Sequence, residues 1–434
     1  MNLRPFQIIL LSVFVVFAIA GVVFLGIFKG GSNTSSQFGS SVTIWGTLDG
    51  SVFSRVMADI TNQTKGFEVV QYVQKDSRTF ENELINAIAE GNPPDLVVFP
   101  HELLVKHRAK LFPISFTTLP ARTFKDTYVD GAEIFMRPDG IYGLPFAVDP
   151  LVMYWNRDVF SASGLAAPPK TWEELVSVTT PAITKRDAQL EVTRSAIAFG
   201  EYGNITHAKD ILSMLFFQSG TNIIDETNGR YEVTLGREDT SGIPPANAAL
   251  SFYTQFAIPS NINYTWNRSL PKDTSLFYSG KLGLYFGLGS EFGNFVKENP
   301  NLNFDVTAVP QGAGATVQRD YGDFYAFAIP RTAHNAQGAY QAAVVLGSPS
   351  ASEALAAGLG MAPAQRTLLA GGSSDPYRQV LYQSALVARG WLDPDPTASE
   401  NVFKQMIEDI TSGRSRVNSV ISDAVKRLTL LFKN

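Results

Sequence analysis

Apolar residues in this chain are grouped at three spacings, and each spacing predicts a different kind of element. The first is unbroken: residues 6–28, FQIILLSVFVVFAIAGVVFLGIF, hold only Gln7 and Ser12 as polar positions and carry no charge. As a helix this run is long enough to cross about 30 Å of hydrocarbon. Ala18, Ile19 and Ala20 before Gly21 imitate a signal-peptidase site, but the run continues to Phe28, beyond an ordinary signal core. An uncleaved signal anchor is therefore expected, with residues 1–5 cytoplasmic. Residues 29–41, rich in glycine and serine, read as a flexible linker.

The second spacing alternates β-like runs with helical ones. Val42–Trp45 predicts a strand ended by Gly46 and the turn-like Asp49–Gly50; Phe53, Val56, Met57 and Ile60 share one helical face; Phe67–Val73 predicts a second strand. A helix over 77–90 stops at Gly91, and Asp95–Phe99 predicts a third strand. Strands alternating with helices imply an α/β fold with a largely parallel sheet. In open sheets of this kind ligands sit beyond the carboxyl ends of strands, which places Trp45, Asp49, Asp95 and the residues after Phe99 near a site.

In the middle of the chain, LVMYWN (151–156) has the density of a buried strand, bounded by Pro150 and by Arg157–Asp158. Thr171 and Glu174 form a T-x-x-E capping box that predicts a helix from Trp172. Further on, Ala196–Phe199 reads as a strand, His207–Gln218 as a helix with His207 as its cap, 221–245 as polar surface turns, and 246–260 as a helix. Leu302–Pro310 and the alternating YGDFYAFAIP (321–330) read as strands. The third spacing, helical and rich in alanine or aliphatic residues, covers 339–346, 352–359, 403–411 and 417–431.

Composition narrows the function. A chain of 434 residues exceeds the usual single core, so two lobes are expected. With 35 basic and 40 acidic side chains the net charge is −5, which argues against nucleic acid as a partner. The absence of cysteine excludes disulfides, thiol nucleophiles, cysteine zinc sites and a lipid-modified cysteine anchor. HELLVKH (101–107) superficially suggests a zinc protease, but the second histidine is six residues after the first, and HExxH needs four. Neither a phosphate-binding glycine loop nor GxSxG is present, and Asp393 with Asp395 makes only a weak calcium pattern. No cofactor or metal is implied.

The run from Tyr142 to Leu175 carries more than local structure. Tyr142, Leu144, Pro145, Leu151, Tyr154, Asn156, Asp158, Phe160, Gly164, Leu165, Pro168, Pro169 and then TWEEL (171–175) closely resemble the extracellular solute-binding proteins of ABC importers, the family that includes the maltose-binding protein. Weaker similarity extends over 42–431: an opening strand ending in Trp-Gly, a G-N-x-P-D element, FYSGKLGLYF (277–286), and GMAPAQRTLL (360–369). The strand ending at Pro310 departs from the family, which often ends it in P-x-P.

The resemblance implies a two-lobed, type II periplasmic-binding-protein-like fold, of the venus-flytrap kind, behind the membrane-spanning N-terminal helix. Lobe 1 would be 42–148 with 326–373, and lobe 2 149–323 with 374–434. The expected role is that of a binding component of an ABC importer, not an enzyme: tethered to the bilayer through residues 6–28, globular part extracytoplasmic, delivering a sugar or oligosaccharide to permease subunits and their ATPase. A tethered carbohydrate-active enzyme and a surface sensor or adhesin on the same fold are the alternatives. Trp45, Tyr202, Tyr321 and Trp391 are stacking candidates, because aromatic faces cover apolar sugar faces. Asp49, Asp95, Asp149, Asn204 and Glu291 are hydrogen-bonding candidates, with Gly287 at the turn beside them and Asp149 at the expected hinge.

Overall fold

The computed structural model describes residues 37–189 and 191–433; the apolar run 6–28 and residues 29–36 of the linker lie outside them. Fifteen strands follow in chain order: β1 (Val42–Gly46), β2 (Val70–Gln74), β3 (Leu96–Pro100), β4 (Met136–Arg137), β5 (Gly140–Ile141), β6 (Leu144–Asn156), β7 (Lys185–Arg186), β8 (Val192–Ile197), β9 (Ile224–Thr227), β10 (Arg230–Val233), β11 (Leu282–Leu288), β12 (Phe304–Thr307), β13 (Asp320–Ala328), β14 (Ala362–Pro363) and β15 (Ala388–Arg389). The longer helices are α1 (Gly50–Gln63), α2 (Phe80–Ala89), α3 (Ala208–Gln218), α4 (Ala246–Thr254), α5 (Ala336–Leu346), α6 (Pro349–Leu359), α7 (Pro376–Val387), α8 (Pro396–Thr411) and α9 (Val417–Leu431).

The main sheet runs β2-β1-β3-β13-β6-β11-β8-β7. It is mixed rather than largely parallel: β1 pairs parallel with β2 and β3, and β8 with β11, whereas β13 and β6 are antiparallel to their main neighbours. Strand β6 joins two halves. Its residues Leu144–Pro150 pair with β13, and Leu151–Trp155 pair with β11. Pro150 does not bound the strand, as the sequence suggested, but sits inside it. A proline removes a ladder donor and is excluded from most central strands. Here it falls at the joint where one partner ends, Gly322 opposite Pro150, and the next begins, Leu288 opposite Leu151.

Helices cover each half for the reasons the apolar spacing gives. In the β1 half, Val52, Phe53, Val56 and Met57 of α1 are buried, and Phe53 stacks on Tyr72 of β2 at 3.9 Å and meets Phe146 of β6 edge-on. Such aromatic pairs contribute about 0.5–1.5 kcal/mol beyond their buried area. In the β8 half, α3 is buried on nearly every side, and α8 and α9 close the outer layer through Phe403, Met406, Ile421 and Leu428. The Thr171 cap forms as the capping box requires: its hydroxyl accepts from Glu174 N at 3.1 Å, while the Glu174 carboxylate reaches Lys170 N at 2.9 Å, one residue earlier than in the standard box.

Other expectations shift. Phe67–Val69 is a 3-10 turn before β2, because only the residues from Val70 onward align with β1. The strand expected over 196–199 begins earlier, at Val192, and ends at Ile197. The polar stretch 221–245 contains the β9–β10 hairpin, turned at Asn228 and Gly229, both with positive φ. Among the described residues no single helix is long and apolar enough to cross a membrane.

Candidate functional site

The segment after β3 enters the interior with charged residues. Glu102 faces Lys209, in the first turn of α3, at 3.3 Å, and Lys209 Nζ also donates to Asp393 at 2.7 Å. Asp393 is fully buried and takes a second bond from Ser399 Oγ at 2.6 Å. Burial alone would depress the lysine; the Glu102 and Asp393 carboxylates outweigh it and raise Lys209 above its ordinary range. Beneath it lies the Trp391 ring, 5.3 Å from the ammonium and stacked on Phe403. A buried charge is tolerated only when paired in this way.

A second network starts two residues earlier, at His207. The His207 ring lies 2.9 Å from Asp210 through Nδ1 and 2.7 Å from Glu291 through Nε2. The residue occupies the position preceding α3, but its side chain makes no capping bond; the imidazole bridges two carboxylates instead, correcting the capping role the sequence suggested. Burial works against the imidazolium, yet Glu291 and Asp210 together hold it well above its usual range. Tyr285 donates to the other Glu291 oxygen at 2.8 Å. Gly287 makes room for this carboxylate: a Cβ there would come within 2.3 Å of Glu291 Oε2 and 2.4 Å of the Tyr285 ring. Asp149, on β6, accepts from Ser290 N at 3.0 Å. Burial is the main cause that pushes its carboxyl up to about 7, and the Glu291 charge adds to it.

The third group lies on β13. Asp323 accepts from Tyr321 OH at 2.8 Å, and its carboxyl is pushed well above the usual range by burial and then by the charges of Glu102 and Asp210. A carboxyl that keeps its proton both donates and accepts, which suits a hydroxyl ligand. Behind it, His101 accepts from Phe324 N through Nδ1 at 3.2 Å, and burial depresses its ring to about 4, so it is neutral. Gly390 lets the ring pass, since a Cβ would meet Nε2 at 2.4 Å.

These groups wall a polar cavity of about 430 Å³, bounded by Glu102, the loop Tyr202–His207, Lys209 and Asp210, Asp323, and Glu400 with Lys404 on α8, with Lys272 closing one side. Its volume lies in the range of small-molecule sites. Both cations at its floor, Lys209 and His207, already face two carboxylates each. Chemically the cavity offers hydrogen-bond donors and acceptors and one half-buried aromatic, Tyr202. Among the described residues no group of three or more His, Cys, Asp or Glu side chains is arranged to hold a metal ion.

Of the residues singled out in the sequence, Tyr202 and Asn204 line this cavity. Asn204 spends its side chain on the loop itself, donating to Asn267 O and Leu270 O and accepting from Trp266 Nε1. Glu291, Trp391 and Tyr321 stand one contact behind the wall, through His207, Lys209 and Asp323, and Asp149 and Gly287 lie further back. Trp45, Asp49 and Asp95 do not line it. Lys75 covers the Trp45 ring at 3.7 Å, Asp49 caps α1 through Ser51 N, and Asp95 accepts from Thr43 N and Asn335 N. Glu102 falls among the residues after Phe99 that the open-sheet rule placed near a site; Lys209, Asp210, Asp323 and Glu400 were missed, because charged residues are frequent and only the fold reveals which ones turn inward.

Residues 55–378 match the family model of the bacterial extracellular solute-binding proteins. A putative binding protein of Brucella abortus is 28% identical over 202 residues, 44% of this chain and 43% of that protein. The sn-glycerol-3-phosphate-binding periplasmic protein of Agrobacterium fabrum is 24% identical over 195 residues, 44% of this chain and 41% of its own length. The matched stretch thus spans less than half of each of these curated relatives. Among solved structures, a cyclo/maltodextrin-binding protein complexed with maltotetraose superposes with a TM-score of 0.71 at 18% identity, covering 92% of this chain and 98% of that one. A cyclic α-maltosyl-1,6-maltose-binding protein from Arthrobacter globiformis gives 0.74 at 15%, covering 91% and 99%. An ABC transporter solute-binding protein from Thermotoga lettingae bound with α-D-tagatose gives 0.65 at 18%, covering 91% and 100%. These likenesses show a mixed α/β, periplasmic-binding-protein-like fold.

Proposed function

The chain belongs to the family of bacterial extracellular solute-binding proteins, and on that premise we propose that it is the binding component of an ABC importer, holding a sugar or oligosaccharide in the cavity at Tyr202, Glu102 and Asp323. One observation carries the reading: the cavity is polar, and its walls come from both halves of the sheet, Glu102 from beyond β3 and residues 202–210 with 400–404 from the other side. A solute seated there touches both halves, so its binding energy favours their closed arrangement over an open one. Lobe 1 is then 42–148 with 326–373 and lobe 2 is 149–323 with 374–434, hinged where β6 changes partners beside Asp149. The closed form is what permease subunits would read.

Charge decides between solute classes. A phosphate needs uncommitted cations, and the two at the floor already face paired carboxylates, leaving Lys272 and Lys404 toward the sides. A neutral polyol needs donors and acceptors with an aromatic face, which this cavity has. Residues 6–28 anchor the protein in this reading, with a linker that stops short of the expected residue 41, since Phe38 is buried against Phe67 and Asn335 Nδ2 donates to its carbonyl; the globular part lies on the extracytoplasmic side. Thermal melting against neutral saccharides, polyols and glycerol phosphates tests it: a ligand of the folded state at 100 times its Kd adds about 2.7 kcal/mol, a shift of a few degrees. A neutral saccharide that raises the midpoint and is recovered intact supports binding without chemistry; a shift by glycerol phosphate alone moves the solute class, and recovery of cleaved sugar would establish an enzyme.

A further inference from the structure

The β9–β10 hairpin belongs to the β8 half of the molecule. Among the described residues its two strands pair with each other and with no further strand, and Tyr231 stacks at 4.8 Å on Phe432, just after α9. One of its three acidic residues nevertheless points at the other half. Glu226 is 4% exposed and holds two arginines at once: Arg137 of β4 at 2.6 Å and Arg108, beyond β3, at 3.1 Å. Arg108 donates further to Tyr231 OH at 3.0 Å and to Asp139 at 2.7 Å.

Such a contact is out of the ordinary for two halves joined through β6 and β13. An exposed ion pair contributes about 0–1 kcal/mol, and holding long side chains in one geometry costs entropy. A buried carboxylate with two guanidinium partners differs, because removing either side leaves charge without compensation in a desolvated place. That penalty disappears if the halves swing apart and the orphaned groups meet water. The cheapest response to breaking the contact is therefore opening rather than unfolding. The same segment after β3 also sends Lys106 to Asp395, the residue capping α8, at 3.0 Å, and Glu102 to Lys209. Three charged links to three separate elements of the β8 half thus leave the single short stretch Glu102–Arg108.

We propose that Glu226 with Arg108 and Arg137 is a charged clasp that holds the two halves closed in the absence of solute, an inference that rests on the two-lobed binding reading. It sets how far the cavity opens, and hence how fast a solute is released, without touching the solute.

The absence of cysteine allows a direct test on the full chain in detergent micelles. Arg122→Cys and Ile262→Cys, at side chains 93% and 91% exposed on opposite halves, carry spin labels whose separation is read by pulsed electron resonance with no solute present. The parent pair should give one narrow distance. Glu226→Gln should lengthen and broaden it, Arg108→Gln with Arg137→Gln should do the same, and all three together should add nothing. If Glu226→Gln loses its cooperative melt, Glu226→Asp, which keeps the charge and shortens the reach, reads the same shift. An unchanged distance in both sets of variants overturns the clasp, as do lengthenings that simply add. No solute enters the experiment, so its failure is distinct from failure of the saccharide reading.

Discussion

Nε2 of His207 lies 2.7 Å from Oε1 of Glu291, which ties the residue just before α3 to the turn that follows β11. With Asp210 on the other ring nitrogen, the imidazole is the positive centre of a triad in which His207 and Asp210 line the cavity and Glu291 stands behind them. His207→Gln keeps a donor but removes the charge, leaving two carboxylates facing each other. The expected loss is about 3–5 kcal/mol of stability, as for breaking one side of a buried pair, read by urea melts at pH 7. The sign with pH follows from the raised imidazole: its contribution is fully present below the ordinary histidine range and is lost only as pH rises through the raised value, so wild type and variant should converge in alkali.

Lys209→Met is predicted to be as damaging, since it strands Asp393, fully buried, and Glu102 together. A loss on the order of 3–5 kcal/mol is expected from the uncompensated charges. Lys209→Met with Asp393→Leu should recover part of it, because the fully buried carboxylate is no longer stranded, while Glu102 and Ser399 still lose a partner. A double-mutant cycle in denaturant measures that coupling.

Asp149 predicts a pH profile of the same sense but set lower on the pH scale. Its carboxyl is raised to about 7, so the folded protein holds a proton that the unfolded chain gives up near pH 4. Stability from this group is full below about pH 4 and declines as pH rises through 7. Asp149→Asn keeps an oxygen for the Ser290 amide and removes the charge. The variant should flatten the decline and melt higher than wild type at pH 8, by about 1–3 kcal/mol in calorimetry.

Asp95 separates framework from site. Its two carboxylate oxygens accept from Thr43 N at 3.0 Å and Asn335 N at 2.9 Å, which staples the start of β3 to β1 and to the N-terminus of α5. Asp95→Ala should cost about 1–3 kcal/mol in stability and leave the affinity of any bound saccharide unchanged. Isothermal calorimetry on the folded variant decides it.

The contrast between Asp95 and Asp323 shows what the sequence made legible. Local rules acted where the answer is local: Thr171 caps the helix at Trp172, and the apolar stripe of Val417–Leu431 gives α9 to the residue. The strand positions around the cavity were also readable, since β3 and β13 lie close to their expected bounds. Which charged side chain turns inward was not readable. Asp95 stands at the amino end of β3 and is consumed by backbone amides, while Glu102, just past the carboxyl end, faces the cavity. Asp323 was hidden inside the aromatic alternation of YGDFYAFAIP, where Tyr321 drew notice. The β9–β10 hairpin escaped because its exposed, charged residues look like a loop; only pairing across the Asn228–Gly229 turn defines it.

The central claim is a solute held by Tyr202 and the carboxyl-lined wall, and calorimetric titration of the protein with a panel of mono- and oligosaccharides tests it most directly. One saccharide should bind with a one-to-one ratio and return chemically unchanged, and Tyr202→Ala should weaken it by about tenfold through loss of the aromatic face. Heat from no saccharide, or an affinity that Tyr202→Ala leaves untouched, would contradict the account.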